Sequence, residues 1–257
     1  MNGSSIALFD ELAPDYDSHF QVPHRAAYDA LAWEASEEVL GRRHATVVDA
    51  GCGSGRWGAR LVASGHHVIG IEQSPRMAAA ARERHLGDGF ELVEGGIEDV
   101  VLDIRADVVL AMGSLQYTED PEATICRLAA WTAPGGNVIV LVDSLIALVL
   151  ELLRAGRRPE ALERLHTHRG VWRAAGHAVE HHLLDAERLR RAFALAGLLD
   201  VSVRGLLVGA STLGKEQLTE ALAADFDAAL GRERELASEP LLADLGKQLL
   251  AIGRAPG

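Results

Sequence analysis

The segment Val47-Val48-Asp49-Ala50-Gly51-Cys52-Gly53-Ser54-Gly55 constrains this chain more than any other. An apolar run that ends in glycines reads as a buried strand feeding a tight turn. Glycine lets the backbone bend sharply and come close to a ligand, and the helix that follows offers unpaired N–H groups at its start. One strand later, Glu72 closes the run His67 to Ile71 and is placed to accept hydrogen bonds from two ribose hydroxyls. Read as Gly53, Gly55 and Gly58, the loop also satisfies the dinucleotide-binding fingerprint. Asp49 argues against that reading: a carboxylate at the strand end repels a pyrophosphate but suits an ammonium or sulfonium.

Around this loop the chain alternates between the two regular periods. A helix is expected from about His24 to Leu40, after an irregular stretch from Ile6 to Phe20. Strands are expected at Thr46 to Ala50, His67 to Ile71, Phe90 to Val93, Asp107 to Met112 and Asn137 to Asp143, the last led in by Pro134-Gly135-Gly136. Helices separate them, one opened by Ser74 as N-cap with Pro75 at the first helical position, where its missing N–H costs nothing. Strands spaced by helices imply right-handed crossovers and a mostly parallel sheet. The alternation stops after Ser144. Residues Leu145 to Leu184 read as helix and loop without a strand, an insertion rather than a second domain. A helix from Asp185 to Ala196, a strand from Asp200 to Val208, a helical stretch from Lys215 to Ala237 and a strand near Gln248 to Gly253 complete the chain.

At 257 residues this is one domain's worth of chain, with residues 1–44 read as an N-terminal lid and helix. The richest apolar stretch, Val138 to Leu153, is broken by Asp143 and Glu151, short of the roughly 18 apolar residues that mark a membrane span. Nor does the start at Met1-Asn2-Gly3-Ser4 show a basic region followed by an apolar one, so a cytoplasmic protein without a membrane partner is expected. Cys52 and Cys126 lack metal-ligand spacing and are too few for a disulfide scaffold. A formal charge of −12 repels phosphate backbones, so a nucleic-acid substrate is not expected.

Several segments together resemble the class I S-adenosylmethionine-dependent methyltransferases. Asp49-Ala50-Gly51-Cys52-Gly53-Ser54-Gly55 looks like their first motif and Gly70-Ile71-Glu72-Gln73-Ser74-Pro75-Arg76-Met77 like their second. Gly95-Gly96-Ile97-Glu98-Asp99, Asp107 to Leu115 and Ala133-Pro134-Gly135-Gly136 follow in the family's order. The likeness is close over about residues 10 to 143, and beyond that only the order of elements matches. It implies a doubly wound, Rossmann-like α/β fold: a seven-stranded sheet, mostly parallel with an antiparallel last strand, helices on both faces, and S-adenosylmethionine as cofactor. It also implies roles. Asp49 with the backbone of Gly51, Cys52 and Gly53 would hold the methionine part, and Glu72 the ribose. Gln73 and Met77 would flank the adenine, Ile97 and Glu98 would meet its edge, and the Met112 carbonyl would bind the amino group. Many members carry Asp where this chain has Gly96, which leaves Glu98 or Asp99 to make the missing contact. Tyr16, in a Tyr-Asp pair that such enzymes fold over the cofactor, and Arg25 complete the cofactor set; Tyr16 reads equally as a surface tyrosine.

Methyl transfer from a sulfonium needs alignment and dryness, and a base only when the acceptor is protonated near neutral pH. Gln116 and Tyr117, after the fourth strand, are placed to orient an acceptor. Between Arg154 and Arg173 stand six arginines and two acids, Glu160 and Glu163, with His166, His168, His177, His181 and His182 close by. An insertion at 145–184 that covers the substrate pocket would bring Arg169, Trp172 and Arg173 to an acidic acceptor group. Solvated arginines paired with the chain's many acids are the plainer alternative. Tyr16, Gln116, His166 and His181 are the catalytic candidates. His166-Thr167-His168 lacks a third ligand for a metal, and none is expected. The overall expectation is methylation of oxygen or nitrogen on an acid-bearing small molecule or peptide. The Ala, Leu, Arg and Gly bias of a GC-rich bacterial gene would fit natural product biosynthesis. Carbon methylation of an aromatic or quinone-like precursor, and a non-catalytic binder of the cofactor, are the alternatives. The helices within Lys215 to Ala237 offer a surface for a homodimer.

Overall fold

The strand order of the main sheet follows from where the chain can bury two faces at once. In the computed structural model, which describes residues 3–41 and 43–257, seven strands form that sheet. They are β1 (Thr46–Ala50), β2 (His67–Glu72), β3 (Phe90–Glu94), β4 (Ala106–Met112), β5 (Thr132–Asp143), β8 (Leu199–Leu206) and β9 (Gln248–Arg254). Their order is β3-β2-β1-β4-β5-β9-β8. All pairings among β1 to β5 are parallel, while β9 runs antiparallel to both β5 and β8. The expected seven-stranded sheet with a reversed last strand is what forms.

Side chains alternate cleanly across this sheet, as a period of two requires. Val47, Val108, Leu110, Ile139 and Leu141 face one layer of helices: α2 (Pro23–Leu40), α3 (Arg56–Ala63), α10 (Lys215–Ala224) and α11 (Phe226–Ala237). Val48, Val109, Ala111, Val138 and Val140 face the other, chiefly α5 (Pro121–Trp131) and α8 (Ala186–Leu195). Phe193 and Leu189 of α8 are fully buried there, so truncating either to alanine would cost about 2–5 kcal/mol. Burial on both faces explains why these strands read as continuous apolar runs. The remaining helices are α1 (Gly3–Leu12), α4 (Pro75–Glu83), α6 (Leu145–Arg154), α7 (Arg158–Thr167) and α9 (Val208–Thr212). Ser74 caps α4 through Met77 N, with Pro75 in the first turn, as its sequence indicates.

Two expectations need correction. The segment Ile6 to Phe20 is not irregular: it forms α1 and a 3-10 stretch, Ala13–Gln21. Leu8 and Leu12, one turn apart, are buried with Met77, Tyr117 and Val179, so packing against the rest of the chain stabilises a helix too short to stand alone. Nor is the insertion free of strands. After α6 and α7 it forms a hairpin, β6 (Arg169–Ala174) and β7 (His177–His182), joined by Ala175-Gly176 with both φ positive, at 48° and 77°. Such a two-residue turn matches the twist of a hairpin. An alanine at its first position, and strands rich in His and Arg, concealed it in the sequence. Leu145 N donates to Leu184 O (2.9 Å), and Leu145, Val149, Leu152, Ala161 and Leu183 pack together, which folds the insertion back over the sheet's C-terminal edge.

Candidate active site

The sheet order reverses direction between β1 and β4, and in an open α/β sheet that point leaves a crevice at the C-terminal strand ends. A cavity of about 340 Å3 lies there, lined by the glycine loop, Met112, Asp143, the start of α2 and the insertion. Gly51, at φ 82°, packs so tightly on Ser114 that any Cβ would clash with it, and Ser114 Oγ donates to Ala50 O (2.5 Å). The N–H groups of Gly51 and Cys52 both donate to Ile71 O, and that of Gly53 donates to Glu72 (2.9 Å). With three donors turned to β2, the loop is poorly furnished for a pyrophosphate.

Asp49 shows what the site wants instead. It is 2% exposed, and its Oδ2 has no hydrogen-bond partner. Burial, helped by nearby Glu72 and opposed by Arg56, pushes its carboxyl up to about 7. An unpartnered buried acceptor beside a cavity calls for a cation, and the ammonium and sulfonium of S-adenosylmethionine fit it. Glu72 accepts from Gly53 N and from Ser74 N (2.7 Å), and its carboxyl is raised by burial. These two bonds fix the carboxylate at the end of β2 with lone pairs left for a ribose diol.

The other cofactor candidates are placed as follows. Tyr16 lies over the loop, its Cε1 3.8 Å from where a Gly53 Cβ would stand, with its phenol raised by burial; Arg25 lines the same end of the cavity. Met77 and Ile97 are buried, Met77 beneath α1 and Ile97 against Gly51. Gln73 Nε2 is buried without a partner. A Cβ on Gly96 would lie 2.7 Å from Asp99 Oδ2 and 3.1 Å from Gln73 Oε1, so Asp99 occupies the space a side chain at 96 would take. Glu98 is turned elsewhere, accepting from Glu119 N (2.9 Å).

Of the acceptor and catalytic candidates, Gln116, Tyr117, Trp172 and His181 line the cavity. Arg169, Arg173 and His166 do not. In the paired hairpin Gly170 faces His181 and Trp172 faces Val179, and strand alternation puts Arg169 and Arg173 on the other face, from which only Val171 reaches the cavity. His166 is exposed on α7, its Nδ1 2.6 Å from Leu162 O. The cations that do line the cavity include Lys215 and Lys247, which no local sequence pattern announces; Lys247 Nζ is 2.9 Å from Glu151, while Lys215 has no carboxylate within 4.0 Å among the described residues but also lowers the Glu151 carboxyl. Three further residues escaped the sequence reading. Asp29 receives both arms of Arg56 (2.7 Å each), Arg60 (2.9 Å) and Trp57 Nε1 (3.2 Å). His24 is held neutral, its imidazole lowered to about 4 by burial and then by Lys215, Arg25 and Lys247. Asp143 ends β5 at the cavity, where the strand-end rule could have found it. No group of three or more His, Cys, Asp or Glu among the described residues is placed to hold a metal ion. No helix among them is long and apolar enough to cross a membrane.

Comparison with known proteins agrees with this geometry. Residues 47–136 match the model of a methyltransferase domain. A malonyl-[acyl-carrier protein] O-methyltransferase of Pectobacterium atrosepticum is 31% identical over 188 residues, covering 72% of this chain and 71% of that one. A tRNA 5-carboxymethoxyuridine methyltransferase of Escherichia coli is 24% identical over 158 residues, covering 58% of this chain and 60% of its own length. A methyltransferase structure from Thermotoga maritima, described as a possible histamine N-methyltransferase, superposes with a TM-score of 0.60 at 19% identity, covering 96% of this chain and 98% of that one. This chain belongs to the class I S-adenosylmethionine-dependent methyltransferases, and S-adenosylmethionine is its cofactor. With a tRNA-modifying relative among those similar to it, net charge alone does not exclude a nucleic-acid substrate.

Proposed function

We propose that this enzyme transfers a methyl group to oxygen of a small-molecule acceptor that carries an acidic group, in the biosynthesis of a natural product. The observation that carries this reading is Lys215, a cation on the cavity wall with no carboxylate within 4.0 Å among the described residues, although it adds to Lys247 in lowering the Glu151 carboxyl. Lys247 stands beside it, shared with Glu151. The O-methyltransferase relative supports oxygen as the target, and the malonyl group in its name is an acid. The cofactor supplies a methyl already activated by its positive sulfur. What the chain adds is position and dryness: Asp49 and Arg25 fix the methionine end, and Phe9, Tyr117 and Trp172 wall the acceptor space with aromatic surface.

Formation of S-adenosylhomocysteine from a panel of hydroxylated aryl and alkyl acids, their amides and bulk tRNA tests this. Turnover of acids and not of their amides is expected. Equal turnover of the amides, or methylation of tRNA alone, would overturn it.

A further inference from the structure

Four residues on the acceptor wall form a connected cluster that cofactor binding leaves unused. Asp143, at the end of β5, is clamped by Gln116, whose Oε1 accepts from Asp143 N (2.8 Å) while its Nε2 donates to Asp143 Oδ2 (3.1 Å). The same Oδ2 lies 3.8 Å from His181 Nε2. The imidazole is held in a slot. A Cβ on Gly170, its partner across the hairpin, would stand 2.6 Å from both Cε1 and Nε2, and the Tyr117 ring lies 5.7 Å away, centroid to centroid.

A carboxylate acceptor would give this cluster nothing to do, because it is ionised at neutral pH and needs no base. A phenol or enol does need one. We propose that the group methylated is a phenolic or enolic hydroxyl, with His181 taking its proton and Asp143 holding the imidazolium that results, while the acceptor's acidic group stays unmethylated as a handle. This rests on the acid-bearing acceptor argued above. In the step, a lone pair of the acceptor oxygen forms the bond to the methyl carbon as the carbon–sulfur bond breaks, its electron pair passing to sulfur. The hydroxyl proton goes to His181 and from there to solvent.

The surroundings suit a base that starts empty. Burial holds the His181 imidazole below its ordinary value; Asp143 opposes that, while Arg164 on α7 and Arg169 on β6 add to it. Tyr117, the other titratable group against the ring, has its phenol raised by burial and stays neutral.

Hydroxybenzoates and hydroxynaphthoates, each assayed with its deoxy counterpart, supply the test. The expected product is a methyl ether, with the deoxy acids inert. His181→Ala and His181→Gln should lower kcat at pH 7 by roughly 100-fold to 10,000-fold with little change in acceptor KM, and activity should return as pH nears the phenol's own pKa of about 10. Cofactor affinity by calorimetry should not move. In an NMR titration of the cofactor-free protein, Asp143→Asn should lower the His181 pKa further. An unchanged kcat in a folded His181→Gln protein, an indifferent titration, or a methyl ester product overturns the proposal; the ester leaves the acid-bearing acceptor standing. Turnover of neither series overturns both.

Discussion

Asp17 accepts a hydrogen bond from Ser54 Oγ at 2.7 Å, which fastens the N-terminal segment to the glycine loop. Arg84 reaches both Asp17 and the Ser54 carbonyl, and Asp10 makes a second fastening, accepting from Ser74 Oγ (2.6 Å) and Arg76 N (3.1 Å). Between them Phe9 and Tyr16 meet edge to face, 6.4 Å apart, above the cavity. Both anchors tie down a segment that lines the cavity, and if that segment covers the cofactor they act on its binding more than on the core packing of Leu8 and Leu12. The double substitution Asp10→Ala/Asp17→Ala should therefore raise the S-adenosylmethionine dissociation constant about tenfold, equivalent to about 1.4 kcal/mol. The thermal midpoint of the cofactor-free protein should barely move. Calorimetry and a thermal melt check the pair, and a large loss of midpoint with affinity intact would contradict it.

Asp49 makes the free protein and the complex respond to pH in opposite senses. Its carboxyl titrates at about 7 in the folded protein but near the ordinary value of about 3.9 when unfolded. Between those values the folded state binds a proton that the unfolded chain has lost, so this group's contribution to stability falls as pH rises from about 4 to 7. A cationic ligand needs the ionised form. Affinity for the cofactor should then weaken below pH 7, by at most tenfold per pH unit, with a proton released on binding at pH 6. Calorimetry in buffers of different ionisation enthalpy detects that proton. Asp49→Asn should abolish its release, weaken binding and raise the melting point of the free protein at pH 8.

How much of this was legible in the sequence depends on the range of the interaction. Strands β1, β2 and β4, the Ser74 cap and the turn at Gly51 are set within a few residues by apolar runs, a hydroxyl before proline, and glycine at positive φ. Asp49 and Glu72 were readable for the same reason: each ends a strand whose partners are fixed by the crossover. The acceptor side is assembled from residues far apart in sequence. Tyr117 and Lys215 share a cavity across 98 positions, and no local pattern announces that. Density of arginine pointed to Arg169 and Arg173, but only the hairpin register decides which side chains face inward. Here it chose Trp172 and His181.

Asp29 illustrates a residue whose weight is structural although it sits at the cavity. Its carboxylate is shared by Arg56 and Arg60, which themselves stack on Phe20 (3.7 Å to the centroid) and Trp33 (3.9 Å). Without Asp29, two half-buried guanidinium groups lose their counter-charge and the Trp57 N–H its acceptor. Removing one partner of such a pair costs more than the pair contributes. Asp29→Ala should lose about 3 kcal/mol in urea denaturation. Asp29→Asn should lose less, since an amide oxygen can still accept from Trp57.

Lys215 and Arg173 carry the same charge and stand on opposite sides of the insertion's geometry. Both are exposed, but Lys215 lines the cavity whereas Arg173 lies on the outer face of β6. An acidic acceptor should therefore feel the first and ignore the second. Lys215→Ala should raise acceptor KM about fivefold, the scale of one partly solvated ion pair, with kcat nearly constant because such a contact is made equally in the ground and transition states. Rising salt should produce the same change in the wild type and little in the variant. Arg173→Ala and Arg169→Ala should leave KM where it was. A KM that follows Arg173 instead would mean that the acid lies outside this cavity, on the hairpin's solvent face.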